Sequence, residues 1–184
     1  MSEEQVTDRR KWLSLVLLGA TQFMVVLDVA IVNVALPTIQ RALSFSSGSI
    51  QWVSTAYAIT FGGLLLLGGR AADLIGRKRM FMIGLVLFSG ASLACGLSTS
   101  SGLLIAARAL QGIGAAIISP AALSILVTTF KEGAERNKAL GIWGGIAGFG
   151  GVAGVLLGGI LVDSLGWRWI FFINVPVGAL VILA

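Results

Sequence analysis

Long apolar runs separated by short polar breaks make up almost the whole of this chain. Six runs are long enough, or nearly so, to cross the ~30 Å hydrocarbon core of a bilayer, which takes about 20 helical residues. They cover roughly residues 12–36, 50–69, 79–98, 102–126, 139–161 and 169–184. The pattern therefore predicts an all-α membrane protein, with a short tail at residues 1–11 and a six-helix transmembrane bundle at 12–184.

The breaks between these runs predict where helices end. Pro37 follows the first run and is expected to stop its helix, because proline lacks a backbone donor and clashes with the preceding turn. Residues 68–79 carry five charges and are expected to form a tight turn between the second and third helices. The last run reaches Ala184 without a polar residue after it, so we expect the sixth helix to be cut and the chain to be part of a longer protein.

Composition indicates that lipid surrounds most of the surface. Hydrophobic residues make up 57% of the chain and charged residues 11%, against about 25% charged residues in soluble domains. The chain has no histidine and a single cysteine, Cys95, in an apolar run. Since histidine is the commonest metal ligand and acid–base group, we expect no metal site, no cofactor and no enzymatic centre. The net charge of +5 is explained by topology rather than by nucleic acid.

Lysine and arginine residues are distributed unevenly among the connections. Ten of the thirteen lie in the N-terminal tail and in the second and fourth connections, and only Arg41 and Arg168 lie in the opposite ones. Cytoplasmic loops of membrane proteins carry such an excess. The sequence therefore predicts a multi-pass protein of the cytoplasmic membrane with its N-terminus in the cytoplasm.

Asp28 and Arg108 are the ionisable residues within the predicted spans. A charge at membrane depth costs several kcal/mol, so such a residue is a candidate for function. Counting about 1.5 Å per residue from the helix ends places both in the outer half of the bilayer, at similar levels. Burial favours the neutral acid and a nearby arginine favours the carboxylate, so Asp28 could exchange a proton. A purely structural pair, or an arginine reaching to the interface, is the alternative.

Two further features of the spans are polar or flexible. Asn33 is expected to be a second buried polar group near the outer end, either in the same site or in an interhelical hydrogen bond. The fifth run contains nine glycines, which let helices approach closely and could also make the helix easy to bend. The glycine patterns do not indicate a dinucleotide-binding site, because no such pattern in this sequence follows a predicted strand.

Two short motifs lie at the second connection and in the fourth helix. The first consists of Gly69, Asp73, Gly76, Arg77 and Lys78. The second begins at Arg108 and includes Gln111 one turn later. Both resemble motifs of the major facilitator superfamily, which indicates that this chain is similar to a transporter.

Three more segments narrow the resemblance to the fourteen-helix drug:proton antiporter branch of that family. Residues 27–37 resemble its helix-one motif, and residues 167–178 resemble the start of its helix six. Its helix-five antiporter motif is represented by Gly141, Gly150, Gly154, Gly158 and Gly159. Val155 stands where that motif usually has proline, which puts the coupling function of this motif in question.

The resemblance implies the N-terminal half-bundle of a transporter, built from two inverted three-helix repeats. It implies that helices one and four line a central cavity. There Asp28 would bind a proton or cation, and Arg108 would adjust the affinity of Asp28 for it. Asp73 and Arg77 would hold the cytoplasmic side closed by contacting a second bundle. Setting topology is the simpler role for the basic residues there.

The implied function is proton-coupled export of lipophilic or cationic small molecules, by a protein that also needs the missing C-terminal helices or a second bundle. One alternative is a related exporter of a specific metabolite. Another is a truncated membrane protein that does not transport.

Overall fold

The computed structural model describes the backbone of residues 3–184 and the side chains of residues 10–184. In this part of the chain the regular structure is entirely helical. The helices are α1 (Glu3–Ala42), α2 (Trp52–Ile75), α3 (Arg77–Gly96), α4 (Ser101–Thr129), α5 (Ala134–Ser164), α6 (Trp169–Phe172) and α7 (Asn174–Leu183). The first five are long and apolar enough to cross a membrane, and α6 with α7 forms a shorter apolar segment.

The pairing of helices relates the first half of the bundle to the second. α1 lies along α5, α2 lies along α4, and α3 contacts α4 and α7. In the comparison of the two halves, α4 corresponds to α1 and α2 corresponds to α5. The α4–α2 pair is thus the counterpart of the α1–α5 pair. Because each repeat has three spans, the second begins on the opposite side of the bundle and is inverted relative to the first. The chain is thus a six-span bundle of two inverted three-helix repeats.

Small residues allow these helices to pack closely. A Cβ atom on Gly114 of α4 would lie 2.7 Å from the backbone nitrogen of Phe88 in α3. A Cβ atom on Gly154 of α5 would lie 2.6 Å from Cβ of Ala30 in α1. No side chain fits at either position, so glycine is what lets the two pairs of backbones touch.

The expected end of the first helix at Pro37 is wrong. α1 continues through Pro37 to Ala42. Proline removes the one hydrogen bond to the carbonyl of Asn33, and spanning helices tolerate such a loss. The turn beyond it buries Ile39 completely, which gives the helix a reason to continue.

The expected tight turn at residues 68–79 is also wrong. α2 continues to Ile75, and Gly76 alone separates it from α3, which begins at Arg77. Gly76 has a φ of 110°, a backbone conformation that glycine adopts without strain. The charges Arg70 and Asp73 therefore lie on the exposed last turns of a helix rather than in a loop.

The sixth predicted span is interrupted at Ile173, between α6 and α7. Pro176 lies in the first turn of α7, where a helix has no need of the missing N–H. Pro176 leaves the carbonyl of Phe172, just before the interruption, without its helical donor. Pro37 and Pro120 lie within continuous helices, so a proline by itself does not interrupt a span in this bundle.

The core divides into two apolar clusters. Along α1 the first cluster ends at Val25 and the second begins at Leu27. Along α4 the second ends at Ala107 and the first resumes at Ala115. Three buried polar side chains lie at or beside this junction: Asp28 of α1, and Arg108 and Gln111 of α4.

Candidate functional site

Asp28 of α1 and Arg108 of α4 form an ion pair inside the bundle. Arg108 Nη1 donates to Asp28 Oδ2 over 2.6 Å, and the two side chains are 2% and 0% exposed, respectively. Arg108 Nε also donates to the carbonyl of Val53 in α2 over 3.1 Å. Its guanidinium carbon lies 4.3 Å from the centre of the Tyr57 ring. Every one of these partners favours a charged arginine, which explains how it is accommodated away from water.

Gln111 lies one turn after Arg108 on the same face of α4 and closes a ring with the ion pair. Its Nε2 donates to Asp28 Oδ1 over 2.8 Å. Its Oε1 accepts from Arg108 Nη1 over 2.7 Å. The i, i+3 spacing on a helix is what allows the two side chains to reach the same carboxylate. The structure thus brings together three of the predicted site residues.

Asn174 and Ser92 belong to the same cluster, and we did not predict them from the sequence. Asn174 Nδ2 donates to Asp28 Oδ1 and to Ser92 Oγ, each over 2.9 Å. Ser92 Oγ donates in turn to the carbonyl of Phe171 over 2.9 Å. The available signal was their polarity: an asparagine and a serine within apolar spans need hydrogen-bond partners.

The carboxylate of Asp28 accepts hydrogen bonds from three side chains, those of Arg108, Gln111 and Asn174. These donors come from α4 and from the start of α7 and meet at a residue of α1. All of them suit an ionised acid, and a bound proton would need an acceptor in their place. In the described residues no three His, Cys, Asp or Glu side chains are grouped so as to hold a metal ion.

Asn33 is not part of this cluster, and its predicted burial is wrong. The residue is exposed on α1. Its Nδ2 donates to the carbonyl of Val29 over 3.0 Å, and its Oδ1 accepts from Ser54 Oγ over 3.0 Å. Five residues separate it from Asp28, which rotates it by more than a third of a turn around the helix.

The loop motif lies at the C-terminal end of α2, whereas Arg108 of the ion pair contacts Val53 near the start of that helix. Asp73 and Lys78 are exposed, while Gly69 and Arg77 are partly buried. The ion pairs among the described side chains are Lys11–Glu135, Asp28–Arg108 and Glu132–Arg136. None of these pairs involves Asp73 or Arg77, and the role of the motif in closing the cytoplasmic side stays a prediction.

The glycines of α5 fall into two groups. Gly150, Gly154 and Gly158 are buried against α1, which their spacing of four residues explains. Gly141 and Gly159 have open space where a side chain would be. The predicted antiporter motif therefore includes residues on both the packed and the open face of α5.

The chain is similar to the members of a known protein family. A model of the Major Facilitator Superfamily matches residues 18–184. The puromycin resistance protein of Streptomyces alboniger is 50% identical over 97% of this chain and 36% of its own length. The cephamycin export protein of Amycolatopsis lactamdurans is 47% identical over 90% of this chain and 34% of its own length. The chain thus spans about a third of the length of these curated relatives.

Solved structures share the fold. A bacterial homologue of the human lysosomal transporter Spinster, in an inward-facing and occupied conformation, superposes with a TM-score of 0.80. The match covers 95% of this chain and 44% of the other at 23% identity, so it carries the fold alone.

Proposed function

Because this chain belongs to the Major Facilitator Superfamily, we propose that it is the N-terminal part of an exporter that exchanges protons for small molecules. The relatives whose names mention resistance or export favour export over uptake. The single observation that supports proton coupling is the buried Asp28 carboxylate, which contacts Arg108 over 2.6 Å. A buried charged pair costs free energy, and a coupling role gives a reason to retain it.

The proposed exchange uses the competition between a proton and the donors around Asp28. When Asp28 is ionised, Arg108 and the side-chain amides of Gln111 and Asn174 hold α1 against α4 and α7. A proton on Asp28 removes its charge and weakens its attraction to Arg108. The relative stability of two arrangements of these helices then depends on whether Asp28 is protonated. Such a dependence is required for coupling a proton gradient to a conformational change.

We place the protein in the cytoplasmic membrane with its N-terminus in the cytoplasm. The excess of lysine and arginine in the N-terminal tail and in the connections α2–α3 and α4–α5 supports this orientation. A second bundle, contributed by further helices or by another chain, completes the transport pathway. The open face of α5 at Gly141 and Gly159 leaves room for such a neighbour.

The proposed cargo is a lipophilic or cationic compound. A second candidate is a single natural product, which the cephamycin export protein among the relatives favours. A panel of compounds separates the two: a multidrug exporter moves puromycin, lincomycin and an unrelated cationic dye such as ethidium, whereas a dedicated exporter moves one.

The test uses inverted membrane vesicles that contain the product of the complete reading frame around these residues. An imposed proton gradient, acid inside, should drive accumulation of at least one compound, and a protonophore should abolish it. Accumulation that is insensitive to the protonophore would contradict proton coupling. Vesicles carrying Asp163→Asn, a change at an exposed carboxylate at the end of α5, should behave like the unchanged protein.

A further inference from the structure

Two side-chain amides bridge the same pair of acceptors. Gln111 Nε2 donates to Asp28 Oδ1 over 2.8 Å and to Ser92 Oγ over 3.2 Å. Asn174 Nδ2 donates to the same two oxygens, each over 2.9 Å. The two amides come from different helices, α4 and α7, and both fit an ionised Asp28.

The two amides differ in their freedom to turn over. Oε1 of Gln111 accepts from Arg108 Nη1 over 2.7 Å and from the Cys95 thiol over 3.6 Å. A turned Gln111 would point its NH₂ group at the guanidinium, which is unfavourable because both are donors. Asn174 makes no hydrogen bond to Arg108 in the structure. Only the Asn174 amide can therefore present its oxygen to Asp28 without opposing a cation.

We propose that Asn174 is a positioning residue that senses the protonation state of Asp28 and passes it through Ser92 to the junction of α6 and α7. The proposal rests on the proposed function, since it assigns a route for the proton signal at that same site.

Asp28 takes up one proton from water on Oδ1, and this new O–H needs an acceptor. The other groups of the cluster keep their own protons. The Asn174 amide turns by about half a revolution about its last bond, so that its Oδ1 accepts from Asp28. The Ser92 hydroxyl, which has lost the Asn174 N–H, redirects its own proton to the same Oδ1. The carbonyl of Phe171 then loses the hydrogen bond that tied it to α3.

The released carbonyl lies beside the interruption in the sixth span. Phe171 lies two residues before Ile173, and Pro176 deprives the neighbouring carbonyl of Phe172 of its helical donor. Losing the Ser92 bond would leave the carbonyl of Phe171 with only the backbone N–H of Ile173 as a donor. This junction is thus the part of the span whose bending responds most readily to Asp28.

Few other charged or titratable groups lie beside Asp28 in the described part of the chain. Arg108 from α4 contacts Asp28 directly, the Tyr57 ring from α2 packs on the Arg108 guanidinium, and the Cys95 thiol from α3 contacts Gln111. α5 presents Gly154 to this part of α1, and α6 and α7 contribute the carbonyl of Phe171 and the amide of Asn174.

The test is an infrared difference titration of the purified protein in lipid, with isotopically labelled asparagine side-chain amides. The carboxylic acid band of Asp28 is identified by its absence from Asp28→Asn. The amide band of Asn174 is identified by its absence from Asn174→Leu, or from Asn174→Ser if the leucine variant does not fold. We expect the two bands to titrate with one midpoint. In protein labelled at glutamine instead, we expect no amide band to follow that midpoint.

Three results separate the claims. Titration of the acid band together with the Asn174 band supports the relay. An acid band that appears while the Asn174 amide stays unchanged, or while a glutamine amide changes in its place, overturns the relay and leaves the proposed function standing. The absence of any Asp28 acid band over the pH range in which the protein is folded overturns both.

Transport gives a second readout that a merely structural role would not produce. Asn174→Leu removes the amide that contacts Asp28 in both protonation states, so protonation of Asp28 no longer reaches Ser92. We expect proton-driven transport to be lost while binding of the transported compound at a fixed pH is retained. Asn137→Leu, at an exposed asparagine in the first turns of α5, is the matched control and should retain both. Proton-driven transport that persists in Asn174→Leu would overturn the relay.

Discussion

Arg108 Nη1 lies 2.6 Å from Asp28 Oδ2, although 80 residues separate the two in the chain. The contact joins the first helix of one repeat to the first helix of the other. Both side chains are shielded from solvent, so neither charge can be replaced alone without leaving the other uncompensated. This relationship makes the pair both a structural element and the candidate for proton exchange.

Removing the cation should be far more harmful than removing both charges. Arg108→Gln leaves Asp28 buried without its ion pair, and we expect a loss of about 3–5 kcal/mol in the free energy of unfolding. The double variant Asp28→Asn with Arg108→Gln should recover most of that loss, because no uncompensated charge remains. Unfolding of the purified protein in detergent measures both.

The control for this pair is Arg41→Gln, since Arg41 is exposed and donates only to the carbonyl of Pro37 in its own helix. Its effect should stay within about 0.5 kcal/mol. Equal losses for the single and double variants would indicate that charge compensation does not determine the stability of the bundle.

The two groups of α5 glycines should respond differently to the same substitution. Gly154→Ala places a methyl group 2.6 Å from Cβ of Ala30 and 2.9 Å from the carbonyl oxygen of Leu27, so α1 and α5 must move apart. We expect a loss of about 1–3 kcal/mol. Gly148, like Gly141 and Gly159, has open space where a side chain would be. Gly148→Ala should therefore be neutral or stabilising by up to about 1 kcal/mol.

Thermal unfolding of the two alanine variants in detergent compares them directly. Similar effects at Gly148 and Gly154 would show that α5 does not pack on α1 through the Gly150–Gly154–Gly158 face.

Much of the architecture could be predicted from the sequence, because spans are long and apolar and loops are short. The five long spans and their approximate centres follow from hydropathy alone, whereas the sixth predicted span is a shorter and interrupted apolar segment. The ends do not: α1 passes through Pro37 and α2 passes through the charged residues up to Ile75. Helical hydrogen bonds are local, so a helix continues beyond the apolar region until a residue such as Gly76 breaks it.

Depth along a helix could also be predicted, whereas direction around it could not. Counting residues placed Asp28 and Arg108 at similar levels, and the structure has them in contact. The same count could not tell that Asn33 is exposed while Asp28 is buried. Asn174 was missed because its place in the cluster depends on how α7 packs against α1 and α3, and no local pattern reports that packing.

The proposed orientation predicts which connections a membrane-impermeant thiol reagent can reach in intact cells. Ser47→Cys, in the exposed connection between α1 and α2, should be labelled from outside. Glu132→Cys, in the exposed connection between α4 and α5, should be labelled only after the membrane is opened. Cys95 is buried and serves as the unlabelled background. The reverse labelling pattern would contradict a cytoplasmic N-terminus.

The central claim, that Asp28 takes up and releases the coupled proton, is tested most directly by measuring proton release when cargo binds. The product of the complete reading frame, purified in weakly buffered detergent solution with a pH-sensitive dye, should release protons on addition of a compound that the vesicle assay has identified. Asp28→Asn should bind the same compound without releasing protons, and Asp163→Asn should release them as the unchanged protein does. Undiminished proton release from Asp28→Asn would contradict the account.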